Sequence, residues 1–60
     1  MHILVIEDDQ RLNRLLQRML QEDRHVVEAA VDARGGLELA QMPGLDAIVL
    51  DVGLPDGSRL

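Results

Sequence analysis

The 60-residue chain contains no cysteine, no lysine, and no phenylalanine, tyrosine or tryptophan. Each absence removes a class of structure or function. Without cysteine there is no disulfide framework and no thiolate metal centre. Without aromatic rings the core must be built from Leu, Ile, Val, Ala and Met. A small domain with neither staples nor bulky side chains depends on close packing or on a partner. Eleven acidic residues against six arginines give a formal net charge of −5. A nucleic-acid backbone requires a cationic face, so this segment is not expected to bind nucleic acid directly. No apolar stretch approaches the roughly 20 residues that cross a bilayer, so no membrane partner is expected. The opening His2-Ile3-Leu4-Val5-Ile6-Glu7 has no basic segment of the kind that begins a secretion signal, which makes the cytoplasm the expected compartment.

What is present is an alternation of two patterns. Residues 2–6 form a short, continuous, β-branched apolar run, the signature of a strand covered on both faces. From Gln10 to about Glu22 the apolar residues Leu12, Leu15, Leu16, Met19 and Leu20 recur at helical spacing. Arg11, Arg14, Gln17, Arg18 and Gln21 fall on the opposite, solvated face. Asp8 or Asp9 is placed to cap this helix, where negative charge also suits the dipole. Residues 25–30 read as a second strand whose polar interruptions suggest a sheet edge. Asp32 is placed to cap a second helix over about Ala33–Met42, with Leu37, Ala40 and Ala33 facing inward. Gly35 and Gly36 inside that helix cost about 1 kcal/mol each relative to alanine, and close approach of helix to sheet is the one reason the sequence offers. Pro43-Gly44 stops the helix, and residues 46–50 form a third apolar strand. Met19 and Met42 read as core filler. His2 and His25 read as surface or edge residues, with no spacing that joins them at a metal.

The order β-α-β-α-β predicts an α/β fold with a parallel sheet. With right-handed crossovers and the third strand beside the first, the strand order is 2-1-3 and the helices cover opposite faces. Ligands of such sheets bind outside the carboxyl ends of the strands, where the strand order reverses. Glu7, Asp8 and Asp51 all map there. Taken singly, the cluster Glu7-Asp8-Asp9 is a helix cap and Asp51 a turn residue. Taken together they form an acidic crevice. Mg²⁺ prefers oxygen donors, and Asp8 and Asp51, Glu7 through water, and the Gly53 carbonyl make a suitable set. A carboxylate whose charge is screened in this way can attack a phosphoryl donor.

Three segments carry a family resemblance: Ile3-Leu4-Val5-Ile6-Glu7-Asp8-Asp9, Ala47-Ile48-Val49-Leu50-Asp51, and Gly53-Leu54-Pro55-Asp56-Gly57. In type and mutual spacing they resemble the receiver domain of bacterial two-component response regulators, closest to those that carry winged-helix DNA-binding effectors. The resemblance implies a flavodoxin-like sheet and a regulatory phosphoacceptor rather than an enzyme. It implies that Asp51 is the phosphoacceptor, that Asp8 binds Mg²⁺ directly with Glu7 as its acidic neighbour, and that the Gly53 carbonyl is a backbone ligand. Asp9 is then a helix cap. The implied phosphodonors are a histidine kinase or a small acyl phosphate.

Residues 1–60 correspond to only part of such a domain. The family's fourth and fifth strands have no counterpart here, nor have its switch Ser/Thr and aromatic residue, its phosphoryl-pairing Lys, or an effector domain. Three expectations follow. Phosphoacceptor activity of this fragment is weak or absent. The third strand becomes an exposed edge through which the chain forms a homo-oligomer. The alternative function is a self-associating half-fold with no phosphoacceptor activity. A phosphohydrolase fragment is disfavoured, because position 53 is Gly where a second Asp would serve as acid and base.

Overall fold

The computed structural model describes the backbone of residues 1–51 and the side chains of residues 1–50. Its elements are β1 (His2–Glu7), α1 (Gln10–Glu22), β2 (Val26–Ala30), α2 (Ala33–Ala40) and β3 (Ala47–Asp51). The sheet is three-stranded and parallel in the order β2-β1-β3. The predicted topology therefore stands, and the differences are local.

The central strand β1 is enclosed on both faces: Ile3, Leu4, Val5 and Ile6 are all buried. Successive side chains alternate across a strand. Leu4 and Ile6 join Ala30 in one cluster, with Leu39, Ala40 and Leu45 packed against it. That is the α2 face. Right-handed crossovers place α1 on the other face, over Ile3 and Val5.

Capping sets the boundaries. The Asp9 carboxylate accepts from the backbone N–H of Arg11 and Leu12, at 2.9 and 3.1 Å, and starts α1. The Asp32 carboxylate accepts from Gly35 N–H at 2.7 Å and starts α2. At the end of α1, Arg24 N–H donates to the Gln21 carbonyl and His25 N–H to the Leu20 carbonyl, which is a Schellman closure. His25 belongs to that closure, so β2 begins at Val26 and not at residue 25. Helix α2 stops at Ala40, two residues earlier than Met42: Gln41 is its C-cap, the N–H groups of Gln41 and Met42 tighten onto the Glu38 and Leu39 carbonyls, and the residue preceding Pro43 is disfavoured in helical geometry. Gly44 then takes φ +89 in the turn.

Both helices are rolled relative to their apolar stripes. In α1, Leu12, Leu16 and Leu20 are half-buried, but Leu15 and Met19 are 50% and 57% exposed. The buried residue of that helix is Asn13. Gln17, assigned by pattern to the solvated face, is half-buried beside it. At 100° per residue this is a roll of roughly 60° from the centre of the apolar stripe. Met19 is thus not core filler, although half-buried Met42 is closer to that role.

In α2 the expected inward residues Leu37 and Ala33 are exposed, while Gly36 is buried and Ala40 half-buried. A Cβ on Gly36 would lie 2.7 Å from Ile6 Cγ1 and 3.1 Å from Cγ2. The helix backbone sits directly on Ile6, which accounts for a glycine that helix propensity alone disfavours.

Arg24 occupies the Schellman position with φ 65. Left-handed geometry costs a residue bearing a Cβ about 1–2 kcal/mol. Glycine removes that cost but gives back part of it as unfolded-chain entropy. Arg24→Gly is therefore expected to stabilise the chain by about 0.5–1 kcal/mol, seen as a rise in Tm by circular dichroism. An unchanged or lower Tm would show that Arg24 makes compensating contacts.

Candidate functional site

Glu7, Asp8 and Asp51 collect at the carboxyl end of the sheet because β1 and β3 run parallel and end together. Glu7 is the last residue of β1 and Asp51 the last of β3, and the two are Cα partners in the ladder. Neighbouring strands lie about 4.8 Å apart, so the two residues are as close as the sheet allows. Asp8 follows directly in the β1–α1 turn and is exposed.

The turn that carries Asp8 is held on both sides. The Glu7 side chain is fully buried, and its Oε1 accepts from Asp9 N–H at 3.2 Å. Asp9 caps α1 as described, and its carbonyl accepts from Asn13 N–H at 2.8 Å. Asn13, 2% exposed, donates through Nδ2 to the Glu7 carbonyl at 2.9 Å and to the Ala30 carbonyl at 2.8 Å. Gln17 Nε2 donates to Asn13 Oδ1 at 2.7 Å. These bonds join the carboxyl ends of β1 and β2 to α1.

Of the residues singled out in the sequence, the fold brings Glu7, Asp8 and Asp51 to one edge and gives Asp9 to the helix. Gly53 and the turn at residues 55–57 lie outside the described residues. Among the described residues no three His, Cys, Asp or Glu side chains form a group able to hold a metal ion. The Asp51 side chain is not among those described. Both histidines sit at the opposite end of the sheet. His2 Nε2 lies 3.1 Å from Glu28 Oε2, and His25 Nδ1 lies 3.0 Å from the N-terminal amine. The sequence marks Asn13 only as a polar residue inside a leucine-rich helix.

A parallel 2-1-3 sheet whose first and third strands end side by side at Glu7 and Asp51 is that of a truncated flavodoxin-like α/β fold. The chain belongs to the response regulator receiver domain family, which it matches over residues 3–58. It is 44% identical over 60 residues to the KDP operon transcriptional regulatory protein KdpE of Escherichia coli, covering 98% of this chain and 26% of that protein. It is 42% identical over 53 residues to the transcriptional regulatory protein TcrA of Mycobacterium tuberculosis, covering 88% of this chain and 21% of that one. The response regulator ArlR of Staphylococcus haemolyticus is 36% identical over 55 residues, with 92% and 25% covered. The chain thus spans about a quarter of the length of these relatives. No solved structure gives a significant match. Among the described residues no helix is long and apolar enough to cross a membrane.

Proposed function

We propose that residues 1–60 are the phosphoacceptor part of a two-component receiver, in which Asp51 takes a phosphoryl group from a histidine kinase or a small acyl phosphate. The observation that carries this reading is the register of Glu7 with Asp51, which joins the two acidic strand ends. An Asp51 carboxylate oxygen forms a bond to phosphorus, and the donor's bond to phosphorus breaks, its electron pair leaving with the donor. Asp8 and Asp51, with Glu7 through water and the Gly53 carbonyl, supply hard oxygen donors of the kind Mg²⁺ prefers. Bound there, Mg²⁺ would offset the negative charge of the carboxylates and the incoming phosphoryl group. The role is regulatory, and transcriptional output is the process named for KdpE and TcrA.

The 60 residues contain no lysine to pair with the phosphoryl oxygens, so the yield of phosphorylated chain is expected to be low. Intact-mass analysis after incubation with Mg²⁺ and a small acyl phosphate tests the assignment. A single phosphoryl adduct should appear and vanish in Asp51→Asn. An adduct that survives this substitution would place the acceptor elsewhere.

A second reading, the self-associating half-fold, has its own observation. Among the described residues β3 has β1 on one side and no strand on the other. Ile48 and Leu50 register with Leu4 and Ile6 and so lie on the α2 face, where they are 50% and 68% exposed. A second copy of the chain pairing at this edge would cover them. Sedimentation equilibrium of wild type and Asp51→Asn should then show the same concentration-dependent association. A concentration-independent monomer rules this reading out.

A further inference from the structure

We infer that Asn13 is a positioning residue for the acidic site: its side chain sets the placement of Asp8. The inference rests on the reading of Glu7, Asp8 and Asp51 as a cation and phosphoryl site.

Asparagine is a poor helix former, because its side chain competes for backbone groups. A buried asparagine in the second turn of a leucine-rich helix therefore serves something other than the helix. Its hydrogen bonds show what. Both amide hydrogens are used, one on the Glu7 carbonyl and one on the Ala30 carbonyl, the last residues of two different strands. Two carbonyl acceptors require an NH₂ group, and Gln17 donates to the remaining oxygen, so the amide has a single orientation.

The Glu7 carbonyl belongs to the peptide group that leads into Asp8. That group is planar from the Cα of Glu7 to the Cα of Asp8. A donor fixed on its oxygen fixes the plane, and with it the point from which the Asp8 side chain departs. On the other side of Asp8, Asp9 is held by its cap, by Glu7 Oε1 and by the backbone N–H of Asn13 itself. Asp8 is thus the exposed residue on a turn whose two neighbours are both tied to α1. Groups behind the direct ligands are what orient a metal site, and losing one commonly weakens metal affinity about 10–100-fold. The roll of α1 that exposes Leu15 and Met19 is the arrangement that delivers Asn13 to the strand ends.

Mg²⁺ titration calorimetry on the 60-residue chain separates this role from a merely structural one. Each variant is studied below its own unfolding transition. Asn13→Leu removes both donors while keeping the branched side-chain shape and is expected to weaken Mg²⁺ binding about tenfold. Gln17→Leu leaves both donors but releases the amide, and should weaken binding by a smaller factor, about threefold. Both variants, folded and binding Mg²⁺ as the wild type does, would overturn the inference. Should Asn13→Leu fail to fold, Gln17→Leu decides: weaker binding supports the role and wild-type binding overturns it. Asp8→Asn is the control for the underlying reading. Wild type that binds no Mg²⁺, or binds it equally well after Asp8→Asn, would remove the site itself and the inference with it. Asp8-dependent binding that ignores positions 13 and 17 would remove the inference alone.

Discussion

Gly36→Ala is expected to destabilise the chain by roughly 2 kcal/mol, although alanine is the better helix former. Alanine in a helix interior is favoured over glycine by about 1 kcal/mol. Against this stands overpacking, which costs typically 1–3 kcal/mol in a filled core. The added carbon would meet Cδ1, Cγ1 and Cγ2 of Ile6, so one rotamer change cannot clear all three. Ile6 is itself 6% exposed in the central strand and has little room to move. The cost therefore lies at or above the top of the range and exceeds the propensity gain. At about 4–8 °C per kcal/mol for a domain of this size, Tm should fall by roughly 8–16 °C. The chain lacks tyrosine and tryptophan, so helical circular dichroism is the probe. Gly35→Ala is the comparison: its nearest neighbours would be Asp32 Oδ1 at 3.2 Å and Ala30 Cβ at 3.6 Å, and a smaller change is expected. Equal effects at the two glycines would show that helix–sheet approach is not what position 36 protects.

The contrast between those glycines shows which parts of the fold were legible in the sequence. Element order, parallel pairing and the caps at Asp9 and Asp32 were readable, because each follows from local chemistry or from strong periodicity, whereas the 2-1-3 arrangement needed the further step of setting the third strand beside the first, which the family resemblance implies. The rotation of each helix about its axis was not. A hydrophobic stripe states which residues prefer burial, while the rotation adopted also depends on the partner surface. Gly36 admits the α2 backbone onto Ile6 and turns Leu37 outward, 67% exposed. Asn13 finds two strand-end carbonyls and turns Leu15 and Met19 outward. In both helices a small or polar residue takes the inward position that leucine was expected to fill.

The candidate site divides along the same line. The positions of Glu7, Asp8 and Asp51 at the strand ends were readable because strand boundaries and strand order locate them without any side-chain detail, and the ladder places Glu7 beside Asp51. Asn13 was not readable, because its partners are backbone carbonyls 6 and 17 residues away, and carbonyls leave no mark in a sequence. The same bonds join packing to chemistry. A change that alters how α1 sits on β1 and β2 also alters the turn carrying Asp8, so stability and cation affinity are expected to be coupled through positions 13 and 17.

Leu4→Ala should produce the largest loss of stability of any substitution considered. Leu4 is 0% exposed in the central strand, at the middle of the cluster formed with Ile6 and Ala30 and flanked by Leu39, Ala40 and Leu45. Burying a leucine and then deleting it costs about 2–5 kcal/mol, the upper values applying where the surroundings cannot collapse into the cavity. A domain of this length holds roughly 3–9 kcal/mol in total. A loss of about 3 kcal/mol thus removes a third of that stability or all of it, and lowers Tm by roughly 12–24 °C. Ile48→Ala is the informative partner experiment. Ile48 is 50% exposed, so in a monomer the substitution should cost well under half as much as Leu4→Ala. If a second copy covers the β3 edge, Ile48 is buried by association. Its removal should then cost nearly as much as a core deletion and should abolish the concentration dependence of Tm. A small cost that does not vary with protein concentration would leave the three-stranded sheet standing on its own core, with Leu4 at the centre.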